Sequence, residues 1–458
     1  MYDLFIKNGI IYTEAGFQRA NIGVKGEKIA LLTTADQDFE AEKVIDAEGM
    51  YIFPGFIDPH THLRDPGFTY KEDFFTGSCA FAHSGYTMVC PQPNLDPVPL
   101  TLETYKQQVE IGQTKSVLDF NPPGCPIGDD PDAVDRMSEY GSAWFKFFQK
   151  VAPYPYDTSA GTVDSYRILQ AFKKVAKTGK YCTVHPFDQY FYEAAIENCK
   201  KAGLPLLMGN IRPNTYTEEE MTSAAYQLSY LAKKAGMKWY ALHCWHSDYI
   251  DLVRMLKKQG EPVVASFEYM PSVNASEYIY SKELQKDIFC SYDNKPNLPK
   301  IWEAVRDGTI DWIGSDHAPH SPHKDYDNTN YRFSAGFALG DYFGHILVSH
   351  ANEGDYSYEK LAEITSVNFA KTMGFYPRKG SNCIDTDADF TIVDMREVWN
   401  ISKDDTVYTK TQTIPYVGRK LHGKVKYTVL RGRVLMENDA VNCEPGYGKF
   451  VKPLDELV

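Results

Sequence analysis

The sequence predicts an α/β fold: a (β/α)8 TIM-like barrel carrying a small β-sandwich built from both chain ends. Three observations lead there. Between Phe53 and about Gly374, apolar β-rich runs alternate with amphipathic stretches, giving eight candidate strands. Before and after that region the pattern changes to short strands and tight turns. The N-terminal flank is too short to fold alone and needs a second piece of sheet to cover it. The expected division is therefore 1–52 with 376–458 as one composite β-sandwich, and 53–375 as the barrel.

Composition narrows the function classes. A chain of 458 residues with 43% hydrophobic content can bury a sizeable core. A net charge of -13, with both signs interspersed, disfavours nucleic acid as a partner and favours solubility. No 18-residue apolar run exists, so no membrane span is expected, and the start, MYDLFIKNG, has no apolar signal-peptide region. Nine cysteines without a CxxC pair read as reduced thiols of a cytoplasmic protein.

Taken in order, Phe5-Ile6, Asn8-Gly9 and Ile10 to Tyr12 read as a hairpin, as do Ala20 to Val24 and the Lys25-Gly26-Glu27 turn that follows. The barrel strands are expected at 53–57, 87–90, 117–120, 144–148, 181–184, 239–242, 262–267 and 311–314, with amphipathic helices such as 166–178 and 217–236. The 215–221 run, TYTEEEM, reads as a helix N-terminus with an acidic first turn. Strands return at 389–393 and 425–435, with Arg431-Gly432 as a turn.

Barrel chemistry is carried at the C-terminal ends of strands. The first strand leads into GFIDPHTHLRDP, whose His60 and His62 are two apart and so face the same side of an extended strand. The fourth carries Lys146 in an aromatic run, the fifth ends at His185, the sixth at His243, and the eighth at Asp316. Singly, His185 reads as a core histidine and Lys146 as an ordinary strand-end lysine. Together, imidazole and carboxylate donors suit Zn²⁺ or a similar divalent ion without any cysteine. A lysine fits among them if desolvation lowers its pKa and the free amine takes up CO₂, giving an oxygen donor able to bridge two metals. Hydroxide held by two metals is a nucleophile at neutral pH, and Asp316 is placed to take its proton and return it to the leaving nitrogen. His246 and His323 read as helix or loop surface residues.

These residues carry a resemblance. Pro54 to Asp58 with His60-Thr61-His62, and Ile313 to His320 (IGSDHAPH), look like the signatures of the cyclic amidohydrolases: dihydroorotase, hydantoinase/dihydropyrimidinase and allantoinase. The tail Gly446 to Phe450 resembles the hydantoinase C-terminus. The resemblance spans nearly the whole chain. It implies a binuclear centre held by His60, His62, Lys146 (carboxylated), His185, His243 and Asp316, with Asp316 also the general base. HLRDPG at 62–67 and Pro93-Asn94 are similar to dihydroorotase segments, implying that Arg64, Asn94 and His320 hold a substrate carboxylate. Arg64 suits that task because its planar fork pairs bidentately with a carboxylate; alternatively it pairs with Asp65 or Asp73. Ser291 is assigned to the same pocket. Val151 stands where hydantoinases place a tyrosine, and 290–296 lacks a dihydroorotase-type arginine. The expected enzyme opens a small cyclic amide, dihydroorotase-like with a carboxylate-bearing ring. The alternative is a hydantoinase/dihydropyrimidinase- or allantoinase-type hydrolase of a neutral ring. Family likeness also implies a homodimer or homotetramer.

Overall fold

The N-terminal strands form as their apolar alternation dictates, with one exception at Asn8-Gly9. In the computed structural model, which describes residues 1–35, 37, 39–150, 160–205, 208–211, 215–269, 276–291, 298–321 and 336–454, with backbone alone at 208–209, 276–278 and 288–291, the first strand runs unbroken over Tyr2–Thr13. Asn8-Gly9 is a bulge in it, marked by a register shift against the next strand, and not a hairpin turn. The reason is local packing. Asn8 takes φ +64°, and a side chain at Gly9 would press on the Ile52 side chain, so the pair fits a bulge within one strand. The Lys25-Gly26-Glu27-Lys28 turn does form, joining Gly16–Lys25 to Lys28–Thr33 with Gly26 at φ +60°.

Strands from both chain ends pair directly. Tyr51–Pro54 lies antiparallel to Phe390–Asn400, with Phe53 opposite Thr391 and Pro54 opposite Phe390. Lys420–Leu430, Arg433–Glu437 and Ala440–Val441 extend the same sheet on one side, and the N-terminal strands extend it on the other. Among the described residues, the β-sandwich is thus one nine-stranded hydrogen-bonded sheet. Its core is Leu4, Ile6, Ile22, Val24, Ile29, Ile52, Phe390, Ile392 and Val429, drawn from both ends of the chain.

The eight parallel barrel strands, numbered here β1 to β8, are Phe56–Thr61, Tyr86–Pro91, Asp119–Phe120, Trp144–Phe148, Tyr181–His185, Lys238–Ala241, Val263–Glu268 and Trp312–Gly314. Parallel bridges Gly124↔Phe145 and Thr61↔His317 close the ring between β3 and β4 and between β8 and β1. The strand expected at 53–57 is two strands. Tyr51–Pro54 belongs to the sandwich and β1 starts at Phe56, so we propose Gly55 as the junction. A Cβ there would lie 2.2 Å from Thr87 Oγ1, so only glycine lets the chain pass from sheet to barrel at this point. The helices Ser165–Lys177 and Glu218–Ala235 match the amphipathic stretches closely, the second capped by Thr217, whose side chain accepts from Glu220 N. Among the described residues, no helix is long and apolar enough to cross a membrane.

Barrel and sandwich are fastened by a buried ion network. Lys379 Nζ lies 2.5 Å from Asp119 on β3, 2.8 Å from Asp389 and 2.9 Å from Asp387. Arg431 also pairs with Asp119, and its backbone N–H donates to Asp389. Burial disfavours the Lys379 ammonium, but three carboxylates outweigh it and hold its pKa above the ordinary value.

Candidate metal centre

Strand geometry delivers the six expected donors to one place. On β4, alternation turns Trp144 into the barrel interior, and Lys146, two residues on, faces inward above it. Its Nζ is 3.0 Å from His60 Nε2 at the end of β1. Asp316, just past β8, places Oδ1 3.1 Å from His62 Nε2 and 3.3 Å from His60 Nε2. His185, the last residue of β5, has Nδ1 2.8 Å from Nε2 of His243, which follows β6. The His60 and His243 rings, 5.4 Å apart, join the two groups. One donor atom each from His60, His243 and Asp316 fall within 4.8 Å of one another.

The backbone is held in an uncommon state at these points. Arg64, His243 and Asp316 have φ of +59°, +59° and +52°. Non-glycine residues with positive φ cost about 1–3 kcal/mol each and cluster at functional sites.

Electrostatics prepare the donors. Lys146 is fully buried, and desolvation draws its pKa from 10.5 down to about 7, against the pull of Asp316 and Glu268. Burial also keeps His60 and His185 well below the usual histidine range and takes His62 to about 4. Burial pushes Asp316 up, but the His62 hydrogen bond and charge bring it below the ordinary carboxylate value. At neutral pH the cluster therefore combines neutral imidazoles at His60, His62 and His185 with a carboxylate and a lysine of free-amine character. Mixed nitrogen and oxygen donors of this kind, gathered from five strand ends, fit divalent cations of the zinc class.

A seventh residue, absent from the sequence reading, completes the centre. Glu268, the last residue of β7, is wholly buried, with Oε2 2.6 Å from His243 Nδ1 and accepting the His243 backbone N–H at 2.8 Å. Its other oxygen lies 3.7 Å from His60 Nδ1 and accepts Ser266 Oγ at 2.5 Å. Ser266 accepts Tyr240 OH at 3.0 Å, which accepts Trp312 Nε1 at 2.8 Å, so a hydrogen-bond chain through the barrel interior fixes the carboxylate. Burial raises the Glu268 pKa, but His243 and His60 hold it well below the usual range. The carboxylate on His243 Nδ1 leaves Nε2 of that ring as the lone-pair face. Glu268→Gln is expected to weaken metal binding by about 10–100-fold, read by chelator competition on the purified protein. Asp58, in the signature run before His60, joins two barrel strands. It accepts Ser315 Oγ at 2.6 Å and Ser315 N at 3.0 Å, tying β1 to β8, and burial pushes its pKa up to about 8.

Asn94 Oδ1 lies 2.6 Å from His62 Nδ1, so the amide orients that ring. Arg64 is buried, and its charge helps keep His62 neutral. Asp65 is held by Lys115 and Asp73 by Lys410. His320 is buried beside Lys71, Nδ1 to Nζ 3.4 Å. Ser291 ends the second strand of the hairpin Ser276–Ser281 and Lys286–Ser291; its side chain, like Val151, 292–296 and His323, lies outside the described residues. His246 is part-buried at a helix N-terminus, Nε2 3.0 Å from Tyr216 O. Glu220 in the acidic turn is buried and accepts Asp188 N at 2.6 Å and Tyr216 N at 3.0 Å, so it does more than meet the helix dipole.

Comparison with known proteins adds to this geometry. Residues 51–435 match the model of the amidohydrolase family. A dihydroorotase from Lactobacillus leichmannii is 27% identical, aligned over 95% of this chain and 98% of its own. An allantoinase from Bacillus licheniformis is also 27% identical, over 98% and 99% respectively. The solved structure of an L-hydantoinase (dihydropyrimidinase) from Arthrobacter aurescens superposes with a TM-score of 0.85 at 23% identity, covering 99% of this chain and 100% of that one.

Proposed function

The chain belongs to the amidohydrolase family, and from that premise we propose that it opens a small cyclic amide whose ring carries a carboxylate, as dihydroorotate does. The observation that carries the ring preference is a single loop after β1 that buries two cations, Arg64 and Lys71, beside His62 and His320. A guanidinium and an ammonium carried on one loop beside these imidazoles would give a ring carboxylate charge-assisted hydrogen bonds.

Lys146, with a pKa near 7, keeps enough free amine to react with CO₂. The amine nitrogen bonds to the carbon of CO₂ and loses a proton, giving a carbamate. His60, His62, carboxylated Lys146, His185, His243 and Asp316 would hold two divalent ions, zinc by donor type. Such ions supply Lewis acidity and an acidified water. Asp316, a carboxylate at neutral pH, takes the proton of the water that attacks the ring carbonyl. It returns that proton to the leaving ring nitrogen. Arg64, Asn94 and His320 hold the ring carboxylate, with Ser291 as a further pocket residue.

An allantoinase relative at the same 27% identity as the dihydroorotase favours a second reading, a neutral ring. Purified protein with two equivalents of zinc and bicarbonate, offered dihydroorotate, hydantoin, dihydropyrimidine and allantoin, separates the two. Under the first reading Arg64→Met lowers the carboxylated-over-neutral ratio of kcat/KM by about 10–100-fold, the worth of a charged hydrogen bond of roughly 1.5–3 kcal/mol. An unchanged ratio removes the carboxylate assignment, and no turnover of any ring removes both.

A further inference from the structure

We propose that Lys71 fixes the tautomer of His320, making that ring a hydrogen-bond donor toward the substrate and so setting the sign of charge the pocket accepts. The kinetic consequence rests on the carboxylate-ring reading above; the tautomer itself does not.

The pair is built on two pinned loops. Phe68 N donates to Arg64 O at 2.9 Å and Lys71 N to Phe68 O at 2.8 Å, so successive turns carry both cations. The next residue, Glu72, accepts Thr409 Oγ1 at 2.6 Å and Lys410 N at 3.2 Å, which anchors the loop to the C-terminal segment. On the other side His317 Nδ1 accepts Leu339 N at 3.0 Å and Gly340 N at 2.9 Å, steadying the run that leads to His320. Lys71 and His320 are 4% and 2% exposed, and Lys71 Nζ sits 5.7 Å and 5.5 Å from the ring centres of Phe68 and Tyr70. Aromatic faces at that range favour an ammonium.

An ammonium has donors only. At 3.4 Å from Lys71 Nζ, His320 Nδ1 is therefore the acceptor and carries no proton. The proton of the neutral ring must sit on Nε2, and the nearby positive charge opposes a second one. His320 then offers N–H and no lone pair at Nε2. Such a group pairs with a carboxylate and cannot accept the N–H of a neutral ring. Lys71 is a positioning residue acting through His320, one that composition and spacing did not single out.

Two measurements decide the matter. In protein labelled with ¹⁵N-histidine, with His320→Gln used to assign the signal, His320 should show the pattern of an Nε2-protonated ring. Lys71→Met should convert it to a mixture of tautomers, while Lys71→Arg, which keeps a donor, should preserve it. In the zinc-loaded enzyme, Lys71→Met should lower the carboxylated-over-neutral ratio of kcat/KM about tenfold, and Lys71→Arg should hold that ratio nearer wild type. An Nδ1-protonated ring in the wild type, or a His320 signal unmoved by Lys71→Met, overturns the proposal. If the wild type opens no carboxylated ring, the substrate reading falls, while the spectra still judge the Lys71–His320 pair.

Discussion

Lys146→Met is expected to abolish detectable ring opening, with kcat/KM down by about a thousandfold or more. Methionine fills the volume of the buried side chain, so β4 should keep its place between β3 and β5, and what is lost is the donor. A divalent centre contributes several kcal/mol of transition-state stabilisation, and about 4 kcal/mol corresponds to three powers of ten. Two controls separate chemistry from folding. In Lys146→Ala, a short carboxylic acid added in excess should restore part of the rate by supplying oxygen atoms to the vacated space. In wild-type protein freed of metal, ¹³C-bicarbonate should give a carbamate resonance that Lys146→Met lacks. The pH dependence has a definite sign. With a pKa of about 7, Lys146 is protonated and unreactive below that value, so at fixed dissolved CO₂ the resonance grows as pH rises through 7. The same shift makes the metal-free fold gain stability between about 7 and 10.5, because over that window the unfolded chain holds a proton that the native lysine has released. A wild-type protein without a carbamate resonance at any pH would remove carboxylation from the account.

Much of this centre could be read before the fold was known, because barrel strands alternate inside and outside and end at one rim. That regularity makes His60, His62, Lys146, His185, His243 and Asp316 recognisable from strand ends alone. Glu268 escaped for a small reason. The apolar run that marks the seventh strand stops at Phe267, one residue short of the observed Val263–Glu268, so the pattern ends just before the carboxylate. The contact of the Asn94 carbonyl with His62, a partner 32 residues away, is one that spacing cannot reveal. The ion network at Lys379 is less legible still, since its partner Asp119 lies 260 residues off. Asn8-Gly9 carries an ordinary turn signal that tertiary packing against Ile52 overrides. Left-handed backbone at Arg64, His243 and Asp316 has no signature in residues that usually avoid it.

Asp316→Asn tests whether the carboxylate moves a proton or only helps to hold the centre. The amide keeps an oxygen where Oδ1 meets both His60 and His62, so the replacement removes basicity with little change of shape. For amide rings kcat is expected to fall by about 10²–10⁴, the usual contribution of a positioned acid–base group. Metal content, measured on the same sample, shows whether the centre has been retained. A cyclic ester supplies the sharper comparison, because its leaving oxygen departs without the proton that an amide nitrogen demands. If Asp316 delivers that proton, the penalty on an activated ester should be at least tenfold smaller than on the amide ring of the same size. Equal penalties with full metal content would mean that Asp316 acts by holding the donors together, and that some other group protonates the leaving nitrogen. The low pKa that His62 imposes on Asp316 argues for the proton-transfer role on the uptake side, since the group is ionised and ready throughout the neutral range. Delivery then depends on the leaving nitrogen, which becomes far more basic than a carboxylate once its bond to carbon breaks, so the transfer runs downhill at the moment it is needed.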